Sequence, residues 1–232
     1  LAVLKRAGIK AFVYMDGSPT CGVYRTTLKK QSRGKPPGVF GSLLFDQGFF
    51  LIPALDLQSP LRWWDWRRRL LAWLWLQDVS LSSRAELYAV WYRLKFICQE
   101  LDNVQARTLG HDIAGWKGKL TQEQADAFRL QVGDMLRQPS NSAKMMNSLW
   151  KNYSHYRKVT GQNLPEINSP EQLRNVTTIA KEMLIMERAA AEAGIVFGTS
   201  PVLYRGHSRK TVSDRKAEKI LDQLADNESA EE

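Results

Sequence analysis

Apolar positions follow two different periods along this 232-residue chain, and the change between them divides it. Before about residue 58 the apolar stretches are short and continuous. Ile9-Lys10-Ala11-Phe12-Val13-Tyr14-Met15 is rich in β-branched and aromatic residues and closes on Asp16-Gly17, and a similar run covers Phe49–Ala54. Both predict buried strands that end in turns. Leu1–Gly8 has the pattern of the last turns of an amphipathic helix, with Lys5 and Arg6 near its end and Gly8 as a C-cap. A βα unit cut through its helix is expected of a piece of a longer polypeptide.

From Ser80 onward the spacing becomes helical. Ser82 and Ser83 with Glu86 predict a capped helix over 83–108, with Leu87, Val90, Trp91, Leu94, Ile97, Cys98, Leu101 and Val104 on its apolar stripe. Thr121 with Gln124 predicts a second helix to Arg137, stopped by Pro139. Ser142 opens a third to Gly161, and Ser169-Pro170-Glu171 a fourth through Leu173 to Gly194. Loops are expected at 109–120, 138–141 and 161–168. Ile195–Gly198 has the composition of a short extended piece. Tyr204–Lys210 has that of a basic loop, and Ser213–Ala225 that of a polar helix ahead of an acidic tail.

Between these regions Ser59-Pro60 predicts the start of a helix through Asp78 that holds five of the eight tryptophans. Trp63, Trp66, Leu70, Trp73 and Leu74 share one stripe, with Arg62, Asp65, Arg68 and Arg69 mostly off it. Large apolar residues also fall outside that stripe, which predicts burial nearly all round and a bridging role. The expected organisation is therefore 1–58, an α/β remnant with the strand–loop–helix–strand of a Rossmann-like sheet; 59–80, a Trp-rich bridging helix; 81–200, an α-helical domain; and 201–232, a basic loop, polar helix and acidic tail.

Charge sharpens the division. The net charge is +9, with 12 Lys and Arg against 5 Asp and Glu in residues 1–80 and 21 against 19 in the rest. No acid occurs between Asp16 and Asp46, where Arg25, Lys29, Lys30, Arg33 and Lys35 fall on a Gly- and Pro-containing segment. Such a segment reads as a solvated loop or as an anion-attracting rim for a nucleotide-like substrate. Two cysteines far apart give no disulfide framework, and a reducing cytoplasm is the expected setting. The longest apolar run, Leu70–Leu76, is far shorter than a membrane span. His111, His155 and His207 are isolated, so no zinc motif forms, and neither a Gly-x-Gly-x-x-Gly nor a phosphate-loop motif is present.

The candidate chemistry lies in Gly17-Ser18-Pro19-Thr20-Cys21-Gly22, at the carboxyl end of the first strand, the edge where open α/β sheets bind ligands. Pro19 and the flanking glycines can hold Ser18 and Cys21 in one fixed relation, with loop N–H groups facing outward as a nest. The bland alternative is a tight turn with an inert cysteine. Ser18-Pro19-Thr20-Cys21-Gly22 resembles the SP[ST]CG signature of the thiouracil desulfidase-like family. Pro37–Pro53 is similar to that family's closing helix and last strand, in which one glycine leads into the helix and another ends it.

The resemblance covers residues 1–55 and implies a domain that binds a four-iron four-sulfur cluster through three cysteines and removes sulfur from thiolated uracil. On this carry-over Cys21 is the last cluster ligand and Ser18 a catalytic polar residue beside the substrate, with Arg25 and Lys29 rimming the substrate site. The family's other two cysteines and its acidic residue lie upstream of the matched region. One matched thiolate cannot hold a cluster, so this chain alone is expected to be inactive and the complete parent to be a carbon–sulfur hydrolase. The alternative expectation is a non-catalytic helical module that contacts RNA or a protein partner through the basic N-terminal end and the Trp/Arg helix.

Overall fold

The computed structural model describes residues 1–23 and 37–195. Arg25 and Lys29, the basic segment around them, and every expectation beyond Ile195 lie outside the described residues. The chain divides into two compact units, Leu1–Trp66 and Arg67–Glu232. The division falls inside the tryptophan-rich helix. The described residues are mostly helical, with one small parallel sheet.

In the first unit a short helix α1 (Ala2–Arg6) leads into β1 (Ala11–Tyr14), and β1 pairs in parallel with β2 (Phe50–Pro53), Ala11 opposite Phe50 and Tyr14 opposite Pro53. Parallel neighbours need a crossover, and α2 (Val39–Asp46) provides it. Gly48, at φ 79°, stops α2 in a left-handed turn before the chain enters β2. Tyr14, Leu44, Phe49 and Leu51 form one buried cluster of this unit, and Leu4, Phe12, Cys21, Val23 and Phe40 pack against it. Phe12 and Phe40 meet edge to face at 5.8 Å.

After β2 a single 3-10 turn, Ala54–Gln58, carries the buried carboxylate of Asp56. That charge is matched on two sides. The Trp66 indole N–H donates to it at 2.9 Å and Arg62 pairs with it at 3.2 Å, as a buried ion requires. Trp66 also stands edge to face with Phe50 at 5.7 Å.

Helix α3 (Pro60–Asp78) begins and ends where Ser59-Pro60 and the apolar pattern place it, but its stripe differs from the expected one. Trp63 is 46% exposed, whereas Trp64, Asp65, Arg68 and Arg69 are all buried. The charges could be taken inside because each finds a polar partner. Arg68 forms a two-pronged pair with Glu100, whose second donor is the Ser140 hydroxyl at 2.8 Å. Arg69 donates to the Leu136 carbonyl at 3.0 Å.

The second unit is built on α4 (Arg84–Leu101), which packs against α5 (Asn103–Gly115), α6 (Gln122–Arg137) and α7 (Ser142–Thr160); α7 in turn packs on α8 (Val176–Glu192). Two expected boundaries move. The helix over 83–108 is two helices, because Asp102 leaves helical geometry at φ −145° and its carboxylate accepts the Gln105 N–H, starting α5 afresh. Val104 is accordingly 75% exposed rather than part of the stripe, and helix continues to Gly115 into the expected loop.

The fourth helix starts at Val176 rather than at Pro170. Asn175 caps it by accepting the Thr178 N–H, while the preceding turns wrap the buried Glu182 through Asn168 and Arg174. Elsewhere the caps stand where expected: the Thr121–Gln124 capping box, Gly161 at φ 71° ending α7, and Gly194 at φ 65° after α8.

Candidate active-site loop

The loop begins where β1 ends. Asp16 turns its carboxylate to the Leu55 N–H at 3.2 Å, and Gly17 takes φ 75°, a dihedral that suits a residue without a β-carbon. Ser18 then organises the next turn. Its Oγ accepts the backbone N–H groups of Thr20 at 3.3 Å and Cys21 at 3.2 Å, while its carbonyl accepts the Gly22 N–H at 2.9 Å. These bonds correct one expectation. The N–H groups of residues 18, 20, 21 and 22 are all used inside the loop, Ser18 donating to Met15, so they do not face outward as an anion nest.

Helix α2 holds the loop from the other side. The N–H groups of Phe40 and Gly41 both donate to the Thr20 carbonyl, at 2.9 and 3.2 Å, and the Gly38 N–H donates to the Gly22 carbonyl at 2.7 Å. The start of the helix thereby satisfies its own donors on loop oxygens. This approach is possible because positions 38 and 41 lack side chains. A β-carbon on Gly38 would stand 2.3 Å from the Thr20 carbonyl, and one on Gly41 would stand 2.7 Å from the Cys21 carbonyl oxygen.

Ser18 and Cys21 are thus brought into one turn, and they occupy different roles in it. Both lone pairs of the Ser18 hydroxyl are engaged, so towards a ligand this group can act through its O–H as a donor. Cys21 is half-buried, with its sulfur 4.0 Å from the Met15 carbonyl and its side chain against the core of the first unit. The other cysteine is in a different state. Cys98 lies on the buried face of α4, and burial pushes its thiol pKa up.

The donor set for a cluster is not complete in this chain. Among the described residues no group of three or more His, Cys, Asp or Glu side chains could hold a metal ion. Cys21 offers one thiolate, and a cubane cluster needs several. No chemical step can be derived through such a group from these residues.

Sequence reasoning missed two features of this region. Gly41 carried no turn signal because it sits inside a helix; its clue is the Gly38-x-x-Gly41 spacing, which puts two bare positions on one helix face. Asp56 gave no periodic signal at all, since its partners Arg62 and Trp66 lie on the next helix. Comparison with protein-family models, with curated proteins and with solved structures returns no match to this chain.

Proposed function

We propose that residues 1–55 form the C-terminal half of a desulfidase-like domain of Rossmann type, in which Cys21 supplies one thiolate of a four-iron four-sulfur cluster and the remaining ligands come from outside this chain. The observation that carries the reading is the Ser18–Cys21 turn. A thiol three residues from an engaged hydroxyl stands at the carboxyl end of a parallel strand, clamped by a helix start that tolerates only glycine at two positions. Such rigidity suits a ligand that must meet an inorganic centre in one place.

On this reading the substrate is a thiolated nucleobase or nucleotide, free or within RNA, and the Ser18 hydroxyl donates a hydrogen bond to it. The reaction class is hydrolysis of the carbon–sulfur bond, water supplying the oxygen and sulfur leaving as sulfide; a cluster held in part by Cys21 and completed by ligands outside this chain would supply Lewis-acid chemistry for it. Arg25 and Lys29, which lie outside the described residues, are the proposed source of positive charge for an anionic substrate. A reducing cytoplasm fits a protein that depends on free thiolates; of the fold, no described helix is long and apolar enough to cross a membrane.

The test is release of sulfide from thiouracil under anaerobic conditions. A polypeptide that adds two upstream cysteines and an acidic residue to this chain should release it, and its Cys21→Ser variant should not. The 232-residue chain by itself should release none. Equal activity of the Cys21→Ser variant would overturn the assignment.

A further inference from the structure

The second unit contains a cleft of about 620 Å³ between α4, α5 and α7. Its size is that of a small-molecule site, and its charge is one-sided. Arg107, Lys144 and Lys151 line it, and none of the three has an ion-pair partner among the described residues. The single carboxylate in the lining, Glu100, is already matched from behind by the buried Arg68 and by Ser140. Helix α7, which forms one wall, bears four Lys and Arg and no acid over its 19 residues.

Two of the cations are also oriented. Arg107 donates from Nε to the Asn103 side chain at 3.2 Å, which fixes the guanidinium plane and leaves its terminal nitrogens without partners among the described residues. Lys144 is tethered at 2.5 Å to the Leu101 carbonyl at the end of α4, a site where a helix favours positive charge. Cations that share one concavity without ion-pair partners repel one another, and an oxyanion bound among them relieves that repulsion. Phe96 adds one aromatic ring, with the Lys95 ammonium 5.0 Å from its centroid, to a lining otherwise made of charges, amides and hydroxyls, with the imidazole of His155.

We propose that this cleft binds a small phosphorylated ligand of mononucleotide size, with its phosphate among Arg107, Lys144 and Lys151 and its ring against Phe96. A planar ring and a dianion separated by a sugar match one aromatic face and a set of cations in a single concavity. An extended polyanion would run along the helix faces and would gain nothing from a single half-buried aromatic ring. The inference does not depend on the role of Cys21, since every residue in it belongs to the second unit.

The experiment is titration calorimetry of the full chain with UMP, AMP and inorganic phosphate as probes, at low salt. The nucleotides should bind with Kd on the order of 10–100 μM and phosphate about tenfold more weakly, while uridine without phosphate should not bind. Lys151→Gln and Arg107→Gln should each weaken nucleotide and phosphate about tenfold, the effect of one lost charge-assisted contact. Phe96→Leu should weaken the nucleotides and leave phosphate unchanged. Circular dichroism confirms that each exposed-residue variant keeps its helices. Absence of nucleotide binding at about 5 mM, unchanged affinity in a folded Lys151→Gln protein, or binding of an RNA oligonucleotide that UMP fails to displace would each overturn the proposal.

Discussion

The Ser18 hydroxyl oxygen accepts the Cys21 backbone N–H at 3.2 Å, so the residue that shapes the turn and the thiol it presents are mechanically one unit. Removing the acceptor should loosen the thiol without unfolding the protein. Ser18→Ala is expected to cost about 1 kcal/mol, the usual value of a local side-chain to backbone bond, and to speed hydrogen exchange at the Thr20 and Cys21 amides. Gly38→Ala is the more severe change, because its β-carbon would meet the Thr20 carbonyl at 2.3 Å. Overpacking against backbone should cost about 3 kcal/mol, read from the urea midpoint. A Gly38→Ala protein as stable as the parent would show that α2 is not seated on the loop.

The two cysteines should differ in reactivity. Cys21 is half-buried and Cys98 is fully buried with its thiol pKa raised, and only the thiolate attacks an alkylating agent. Iodoacetamide should therefore modify Cys21 first, with Cys98 reacting only as the protein unfolds. Peptide mapping by mass spectrometry checks this, and equal rates at the two sites would contradict it.

Arg68 and Glu100 are buried together, with side chains 0% and 2% exposed. Truncating one partner strands the other charge in the core. Glu100→Ala should cost about 3–5 kcal/mol, whereas the double replacement Arg68→Met with Glu100→Leu should cost much less than the single change. Denaturant unfolding of the three proteins decides it. A double variant that loses as much stability as Glu100→Ala, or more, would mean that the pair is not the relevant interaction.

Glu86 is the capping acid of α4, and its pKa is lowered chiefly by hydrogen bonds from the Ser82 backbone and Ser82 side chain. Because its folded pKa lies below the ordinary value of 4.5, its stabilisation is complete above that value and is lost as pH falls through the lower folded value. The stability difference between the parent and Glu86→Gln should be largest at neutral pH and should shrink towards about pH 3. A difference independent of pH would remove the carboxylate from the account.

What the sequence made legible was mostly set by local chemistry. The Thr121–Gln124 capping box, Ser83 ahead of Glu86, the proline opening α3 and the glycines after α2, α7 and α8 all act within a few residues. The failures have long-range causes. Asp102 has a capping side chain, but it sits inside an unbroken apolar stripe, so periodicity outweighed it and one helix was expected where two form. Arg68 and Arg69 looked like surface residues because the carboxylate and carbonyl that allow their burial lie 32 and 67 positions away.

The same holds for the sites. Ser18 and Cys21 were visible because their relation spans three residues, whereas Arg107, Lys144 and Lys151 come from two helices and share no local pattern. Gly38 was legible as a helix entry, and its contact with Thr20 was not.

The central claim, that Cys21 is one thiolate of a cluster completed by cysteines outside this chain, is tested most directly by anaerobic iron–sulfur reconstitution. The proteins to compare are the extended polypeptide, its Cys21→Ser and Cys98→Ser variants, and the 232-residue chain. Iron content and the charge-transfer absorption of thiolate-bound iron are the readouts. The extended polypeptide and its Cys98→Ser variant should each take up about one cluster, and the Cys21→Ser variant and the chain alone should take up none. Full cluster content in the Cys21→Ser variant, or loss of the cluster on changing Cys98, would contradict the account.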